Sequence, residues 1–429
     1  MNYTEARVLL GRLPSLEVKP GLERIRRLLD HLDHPETAFP TVHVAGTNGK
    51  GSVVAMLSHI LYEAGYRVGR YTSPDVVDFR DRISIDGNWI SEEALASAVE
   101  RLLPVLGKTE DPPTLFEVLT AIAFEYFAGS KVDIAVIEVG LGGRFDATNV
   151  VQPVLAILTN VDRDHLALLG NSLERIAWEK AGVAKKGVPF LAGNLSPAVR
   201  EVVKEECRQV KAQMTTGMLE VERGDFNWKE AIYRVYGSKQ LPDRVHLALL
   251  GSYQAENLRL VLRAVEILRE ANWLIPNDAI TRGLATVHWP GRFEVMLRDP
   301  TIILDGAHNV AGIKALSVDI VRLVPKICRR HLLCGILADK EVEAIGQVLF
   351  PLFGRVTFTR SKSPRAASVE ALAEIAATLD VPSRRTTSVK EGLHLVLEEL
   401  APRDSLFITG SLTVVSEARA RLLEVACQP

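Results

Sequence analysis

Thr41-Val-His-Val-Ala-Gly-Thr-Asn-Gly-Lys-Gly-Ser-Val53 decides how this chain is read. A β-branched run ends at Ala45 and a glycine-rich turn follows. Lys50 and Ser52 then precede the apolar, helical-looking segment Val53-Val-Ala-Met-Leu-Ser-His-Ile-Leu61. Strand, glycine turn, Lys with Ser, and helix make the layout that cradles a nucleotide triphosphate. Glycines let backbone N–H groups reach phosphate oxygens without a Cβ in the way, and the helix adds free N–H groups and its positive dipole end. Lys50 brings a mobile positive charge for the outer phosphates. The spacing is a variant: Val44 stands where the usual pattern has its first Gly, and Gly51 directly follows Lys50. The competing reading is a tight turn capping a buried helix; a lysine at the apex of such a turn speaks against it.

Outward from this turn the chain alternates. Leu22, Ile25, Leu29 and Leu32 recur at helical spacing and predict an amphipathic helix before the first strand. Residues 67–72 read as a short strand, 73–86 as a polar loop and 115–127 as an apolar helix. Residues 132–139, 154–160 and 188–192 read as buried strands, with a helix at 173–183. Segment 214–250 shifts to short alternating runs, which predict a small antiparallel patch, and 252–270 returns to helix. Pro276, Pro290 and Pro300 mark a linker around Trp289-Pro-Gly-Arg292. Beyond it, strand-like runs at 302–304, 332–334, 356–358 and 406–408 alternate with helical ones. The expected fold is α/β, with an open, mostly parallel sheet and a second, smaller α/β domain. Ligands of such sheets sit at the carboxyl ends of the strands.

At 429 residues, with 47% hydrophobic and 24% charged residues, the chain can build large cores in about two domains. A formal charge of −2 speaks against an extended nucleic-acid footprint. Cys207, Cys328, Cys334 and Cys427 are scattered and read as idle thiols of a reducing cytosol. The basic cluster at 326–331 reads as a solvated helix end. The first residues lack a signal-peptide pattern and no apolar run approaches a membrane span. A cytoplasmic monomer with neither membrane nor nucleic-acid partners is expected.

The chemistry-bearing residues fall at strand ends. Glu138 closes one strand and opens Gly140-Leu-Gly-Gly-Arg-Phe-Asp146; a carboxylate beside a phosphate turn is placed to hold Mg²⁺, although a solvated strand-end carboxylate is as common. Arg144 and Phe145 interrupt the glycines, which excludes the dinucleotide pattern. Asn160, Asp162, Asp164 and His165 crowd the next strand end, where imidazole and carboxylate can complete a metal shell. On composition alone, Lys180 reads as a solvated lysine near a helix end. Asp305 and His308 follow a strand of the second domain and could reach across a cleft; an Asp-capped turn explains them equally.

Taken in order, these segments resemble the folylpolyglutamate synthase and dihydrofolate synthase family of the Mur ligase superfamily. The matching pieces are Gly46-Thr-Asn-Gly-Lys-Gly-Ser52, Thr72-Ser-Pro74 with Arg80-Asp-Arg-Ile83, Phe116-Glu-Val-Leu-Thr120, Glu138-Val-Gly-Leu-Gly-Gly-Arg144, and Asn160-Val-Asp162 with Asp164-His165. Further along come Glu179-Lys-Ala-Gly182, His288-Trp-Pro-Gly-Arg-Phe-Glu294, Asp305-Gly-Ala-His-Asn309, Asp339-Lys340 and Gly410-Ser-Leu412. The resemblance implies a P-loop NTPase-like ATPase domain over 1–293 and a Rossmann-like glutamate-ligase domain over 294–429. It implies ATP-dependent amide formation: a pteroate or folate carboxylate takes the γ-phosphate, and the amine of L-glutamate displaces phosphate from the acyl phosphate.

By the same resemblance, Asn48, Gly49, Lys50, Gly51 and Ser52 hold the triphosphate, and Asn257, Arg292 and Asp305 contact ATP, with His308 close by. Ser73, Glu138 and His165 bind Mg²⁺. Lys180 becomes a carbamylated lysine on a second Mg²⁺, and Lys50, Lys180 and His308 are the catalytic candidates. Thr114, Leu115, Phe116, Glu117 and Arg82 would bind substrate. The chain departs from the family at Asp75-Val-Val-Asp78, where His and a more basic loop are usual, and at Val310, which replaces a Pro. Other readings are a Mur-type ligase for another amino acid and carboxylate, or a nucleotide-switch ATPase whose second domain binds a protein.

Overall fold

The computed structural model describes residues 1–14, 21–107, 110–217, 219–323 and 329–426. Cys328, Cys427 and the first half of the basic cluster at 326–331 lie outside them; Cys207 and Cys334 are buried free thiols.

A large sheet takes β1 (Thr41–Ala45), β2 (Val68–Tyr71), β3 (Ile83–Ile85), β4 (Asn88–Trp89), β5 (Ile134–Glu138), β6 (Leu155–Leu158), β7 (Pro189–Ala192) and β8 (Gln213–Thr215). Their order is β4-β3-β2-β5-β1-β6-β7-β8. From β2 to β8 the pairing is parallel, and β3 and β4 add an antiparallel edge. β1 sits at the centre with all five residues buried, as a strand covered on both faces must be. Even its His43 is wholly enclosed. Because β5 and β6 flank β1 on opposite sides, the turn after Ala45 opens at a crevice where connections diverge, the place where α/β sheets bind ligands.

The helix Lys50–Glu63 after that turn is apolar nearly all round. Its outer face is covered by the helices Gln254–Glu270 and Asn277–Thr286, where Gly283 lets the backbone lie against Ile60. A three-stranded antiparallel sheet of β9 (Glu220–Phe226), β10 (Ala231–Tyr236) and β11 (Arg244–Leu247) sends Val221, Tyr233 and Val245 into the same core as Val42 and Leu57.

The second large sheet comprises β12 (Glu294–Arg298), β13 (Thr301–Leu304), β14 (Arg330–Cys334), β15 (Arg355–Phe358), β16 (Ser383–Arg385) and β17 (Ser405–Thr409). Its order is β12-β13-β17-β14-β15-β16, parallel except for the edge strand β12. Among the described residues no helix is long and apolar enough to cross a membrane.

Two expectations need correction. Segment 73–86 is no plain loop: it contains the 3₁₀ turn Phe79–Arg82 and β3, which forms a hairpin with β4 through Asp86 and Gly87, both at positive φ. Only three residues of alternation, Ile83-Ser-Ile85, signal that strand among charged neighbours. The proline-marked linker is shorter than 276–300: its ends enter helix and strand, and residues 287–293 around Trp289-Pro-Gly-Arg292 form the connection. Pro276 precedes the first turn of the Asn277–Thr286 helix, and β12 follows.

Candidate active site

The turn 46–52 is held by the segment after β6. Asn160 accepts from the Thr47 N–H at its carbonyl (3.1 Å) and from the Asn48 N–H at its side chain (2.9 Å). Thr159 donates its hydroxyl to the Asn48 carbonyl at 2.6 Å, and the Asp162 N–H donates to the Thr47 hydroxyl at 3.0 Å. Gly49 has φ +84°, and a Cβ there would lie 2.3 Å from the Asn257 side-chain oxygen. The extra glycine of the variant spacing also has a steric reason: a Cβ on Gly51 would meet the Trp289 indole at 2.9 Å. Ser52 accepts from Gln254 at 3.2 Å, and Gln254 in turn accepts from Asn257 at 2.8 Å. The Lys50 ammonium curls over the turn to the carbonyls of Gly46 (3.1 Å) and Thr47 (3.2 Å).

Glu138 reaches the same cavity because Val44 is its register partner in β1. Among the described residues it takes one hydrogen bond, from the Ser73 N–H, at a long 3.3 Å. Burial pushes this carboxyl above its ordinary range while Lys50 pulls it back. Lys180 overturns its compositional reading. It is not solvated: the residue is 4% exposed, and its ammonium donates to the Gly46 carbonyl at 2.9 Å. Burial, aided by the charge of Lys50, brings its pKa down to about 7. Burial also raises Asp162, which faces the charge of Lys180.

The Asp164–His165 pair sits in a network with residues of the second domain. Asp164 accepts from the Lys340 ammonium at 2.5 Å and from Asn309 at 3.1 Å, and faces His308 Nε2 at 3.5 Å. Against the effect of burial, His308, His165 and Lys340 hold this carboxyl well below the usual carboxylate range. Burial takes His165 down to about 4, and its Nε2 lies 3.3 Å from the Lys340 ammonium. Among the described residues, no three His, Cys, Asp or Glu side chains form a ready metal cluster.

The second sheet contributes the opposite wall. Asp305, at the end of β13, accepts from the Tyr253 hydroxyl (2.7 Å), the Phe293 N–H (2.9 Å) and the Ala307 N–H (2.8 Å). Burial raises its pKa, while Tyr253 and Arg292 counter that. Arg292 itself reaches the Gly291 carbonyl at 3.1 Å. His308 Nδ1 donates to the Gly306 carbonyl at 2.8 Å, which leaves Nε2 towards Asp164.

These groups line two adjoining cavities. One, about 380 Å³, takes the turn 46–52, Glu138, Lys180, Asn257, Arg292 and Asp305. The other, about 400 Å³, takes Arg82, Thr114, Phe116, Glu117, Phe145 and Asp146 on one side and Lys340, Arg365 and Ser411 on the other. Ser73, His165 and His308 line both. Each has the size of a small-molecule site. Phe116 stacks on Tyr71 with ring centroids 5.9 Å apart. Glu117 is committed locally: it takes the Thr114 N–H (2.7 Å) and hydroxyl (3.0 Å) in a capping box and pairs with Arg24 at 2.9 Å. Leu115 packs with the core around Ile25 and Phe39.

Sequence reading gave no role to Asp146, Tyr253 or Lys340. Asp146 closes the glycine loop by accepting from the Leu141 N–H at 2.8 Å, a carboxylate two residues beyond Arg144 that the motif itself contained. Tyr253 had no sequence signal.

Two family models match the chain. The Mur ligase middle domain matches residues 44–265, and the Mur ligase glutamate ligase domain matches residues 291–412. The fold and site thus define an ATP-dependent ligase of the Mur type. The chain is 34% identical to the dihydrofolate synthase/folylpolyglutamate synthase of Bacillus subtilis, over 98% of its own length and 99% of that protein. It is 35% identical to the folylpolyglutamate synthase of Lacticaseibacillus casei, over 99% of each. The crystal structure of Mycobacterium tuberculosis folylpolyglutamate synthase complexed with ADP superposes with a TM-score of 0.89 at 32% identity, covering 98% of both chains. The chain belongs to the folylpolyglutamate synthase and dihydrofolate synthase family.

Proposed function

We propose that this protein joins L-glutamate to dihydropteroate, to a tetrahydrofolyl substrate, or to both, with ATP driving amide formation through an acyl phosphate. The observation that carries the reading is the meeting of the two cavities at Ser73, His165 and His308. A phosphate-binding turn of the P-loop kind fits the first cavity. The aromatic wall of Phe116 in the second suits a flat pterin ring. The related M. tuberculosis enzyme in complex with ADP supports nucleotide in the first. Residues 1–293 would form the ATPase domain and 294–429 the Rossmann-like glutamate-ligase domain.

In this reading the backbone N–H groups of 48–52 and Lys50 neutralise the β- and γ-phosphates, while Asn257, Arg292 and Asp305 orient the nucleotide. The substrate carboxylate enters from the Phe116 side, past Thr114, and meets the γ-phosphate where the cavities join. Lys50 stabilises negative charge on the transferred phosphoryl group. The walls from the two sheets exclude water from the acyl phosphate until the amine of glutamate attacks. His308 lies at that junction, placed to contact the reacting groups.

Glu138, desolvated and with one long protein hydrogen bond, is a fitting oxygen donor for Mg²⁺ beside Ser73, with His165 across the junction. Lys180, buried with an amine near pKa 7, has the nucleophilicity to take up CO₂ as a carbamate and offer a second cation its carboxylate. Bound Mg²⁺ would supply charge neutralisation for the phosphates.

The deciding experiment measures ADP release with dihydropteroate or tetrahydrofolate, each with and without glutamate. Turnover is expected only when all three substrates are present. ADP release independent of pteroyl compound and glutamate would sink the reading.

A further inference from the structure

The second cavity carries three full cations on its walls, Arg82, Lys340 and Arg365, and each already has a carboxylate of the chain itself. Lys340 pairs with Asp164 at 2.5 Å. Arg365 Nε donates to Asp339 Oδ1 at 3.1 Å. Arg82 Nε donates to Asp75 Oδ1 at 2.8 Å, and its Nη2 reaches the same oxygen. The last pair stands apart in its construction. Asp75 and Arg82 bracket one closed loop, which Asp81 fastens by accepting the N–H groups of Val76 (2.9 Å) and Val77 (2.7 Å). Arg82 lies over the Phe79 ring at 5.4 Å. The Asp75 side chain remains 35% exposed and that of Arg82 15%.

Arginine binds a ligand carboxylate best through its two-nitrogen edge. On Arg82 the Nε–Nη2 edge is occupied by Asp75. A ligand carboxylate arriving there must displace Asp75 or sit beside a second negative charge. Pteroyl substrates differ in this respect. A pteroate brings a single carboxylate, and the reaction with the γ-phosphate consumes it. Each glutamate already attached to a folate adds an anionic group that needs a cation. The family relatives do not decide between them, since those at 34% and 35% identity bear a dual and a single activity in their names.

We propose that Asp75 is a specificity-determining residue: by occupying the carboxylate-binding edge of Arg82, it biases the second cavity against polyglutamylated folates and towards pteroates. The inference rests on the reading of that cavity as the pteroyl site.

The test compares kcat/KM for dihydropteroate and for tetrahydropteroyl triglutamate in the wild type, Asp75→Asn, Arg82→Gln and the double variant. Asp75→Asn keeps the shape and removes the charge. It is expected to raise the triglutamate-to-dihydropteroate ratio roughly fivefold, mainly through KM, and less at high salt. The gain should vanish in the double variant. An unchanged ratio, or a gain that persists without Arg82, overturns the proposal. If the wild type ligates glutamate to neither substrate, the ligase reading itself fails. Equilibrium binding of the two compounds to wild type and Asp75→Asn then decides the charge competition on its own, and an equal change for both would refute it.

Discussion

Among the described residues the Lys180 ammonium makes one hydrogen bond, to the Gly46 carbonyl, and burial brings its pKa down to about 7. About half of it is therefore neutral at pH 7, whereas an exposed lysine near 10.4 is almost wholly charged. Carbamate formation needs the neutral amine. Wild-type protein equilibrated with ¹³C-labelled CO₂ is expected to give a carbamate carbon resonance that is missing from Lys180→Ala. The same variant should lose about a hundredfold or more in kcat. A lysine that merely fills space would show neither effect.

His43 is a second buried residue with a measurable signature. It lies in β1, wholly enclosed, with Nε2 2.8 Å from the Thr148 hydroxyl. Burial drives its pKa down to about 3. Between pH 6.5 and about 3 the unfolded chain holds this proton and the folded chain does not, so stability falls as pH falls through that window. In urea unfolding, the loss between pH 7 and pH 4.5 should be smaller in His43→Gln by on the order of 2 kcal/mol. Equal losses in both proteins would mean that the imidazole takes up its proton inside the fold.

Among the elements, the loop 140–146 and the helix Leu173–Ala181 act as a pair. Arg144 donates its N–H to the Glu179 carbonyl at 2.8 Å and its guanidinium to the Trp178 carbonyl at 3.1 Å, and lies 3.9 Å over the Trp178 ring. A Cβ at Gly143 would stand 2.8 Å from the Lys180 carbonyl and 2.9 Å from that of Glu179. Both obstacles are backbone, so Gly143→Ala must displace the turn that carries Lys180. A loss of about 1–3 kcal/mol is expected, together with a fall in kcat. Unchanged melting and rate would show that the loop yields freely.

This pair also shows where sequence reading stops. The central parallel strands were legible because they are apolar β-branched runs, and the strand-end motifs followed from them. The burial of Lys180 was not, because a helix lysine is solvated unless distant segments enclose it, and here the loop 140–146 lies against its backbone while the Gly46 carbonyl takes its ammonium. The β3–β4 edge was lost for another reason: three residues of alternation are too few to rise above charged neighbours. The turn at Asp305 could be seen as chemistry-bearing. That Lys340 would neutralise Asp164, 176 residues away, could not.

At the scale of the molecule, polar contacts among the described residues tie the two large sheets on two sides, and the Lys340–Asp164 pair belongs to the side of the turn 46–52. On the side of Tyr253, its hydroxyl meets Asp305, and the Ser252 N–H and hydroxyl meet Asp319 at 2.7 and 3.0 Å. On the side of the phosphate turn, the amides of Asn48 and Asn309 exchange hydrogen bonds at 3.2 and 3.0 Å, and Asn309 also serves Asp164. The second tie acts directly on a residue of the turn 46–52, so the placement of the second sheet and the geometry of that turn are coupled. Asn309→Ala weakens that tie: Asn48 loses its partner across the cleft and Asp164 loses one donor while keeping Lys340, a loss of about 1–3 kcal/mol in the closed arrangement. The chain can relieve it by opening on this side, while Leu250, Phe226 and Trp228, packed into the core of the second sheet, hold the other side. The expected result is a larger radius of gyration by small-angle scattering and a KM for ATP raised about tenfold, with the urea midpoint little changed. A variant that keeps the wild-type scattering profile and ATP KM would show that the Lys340–Asp164 pair and the Tyr253 side hold the sheets together without Asn309.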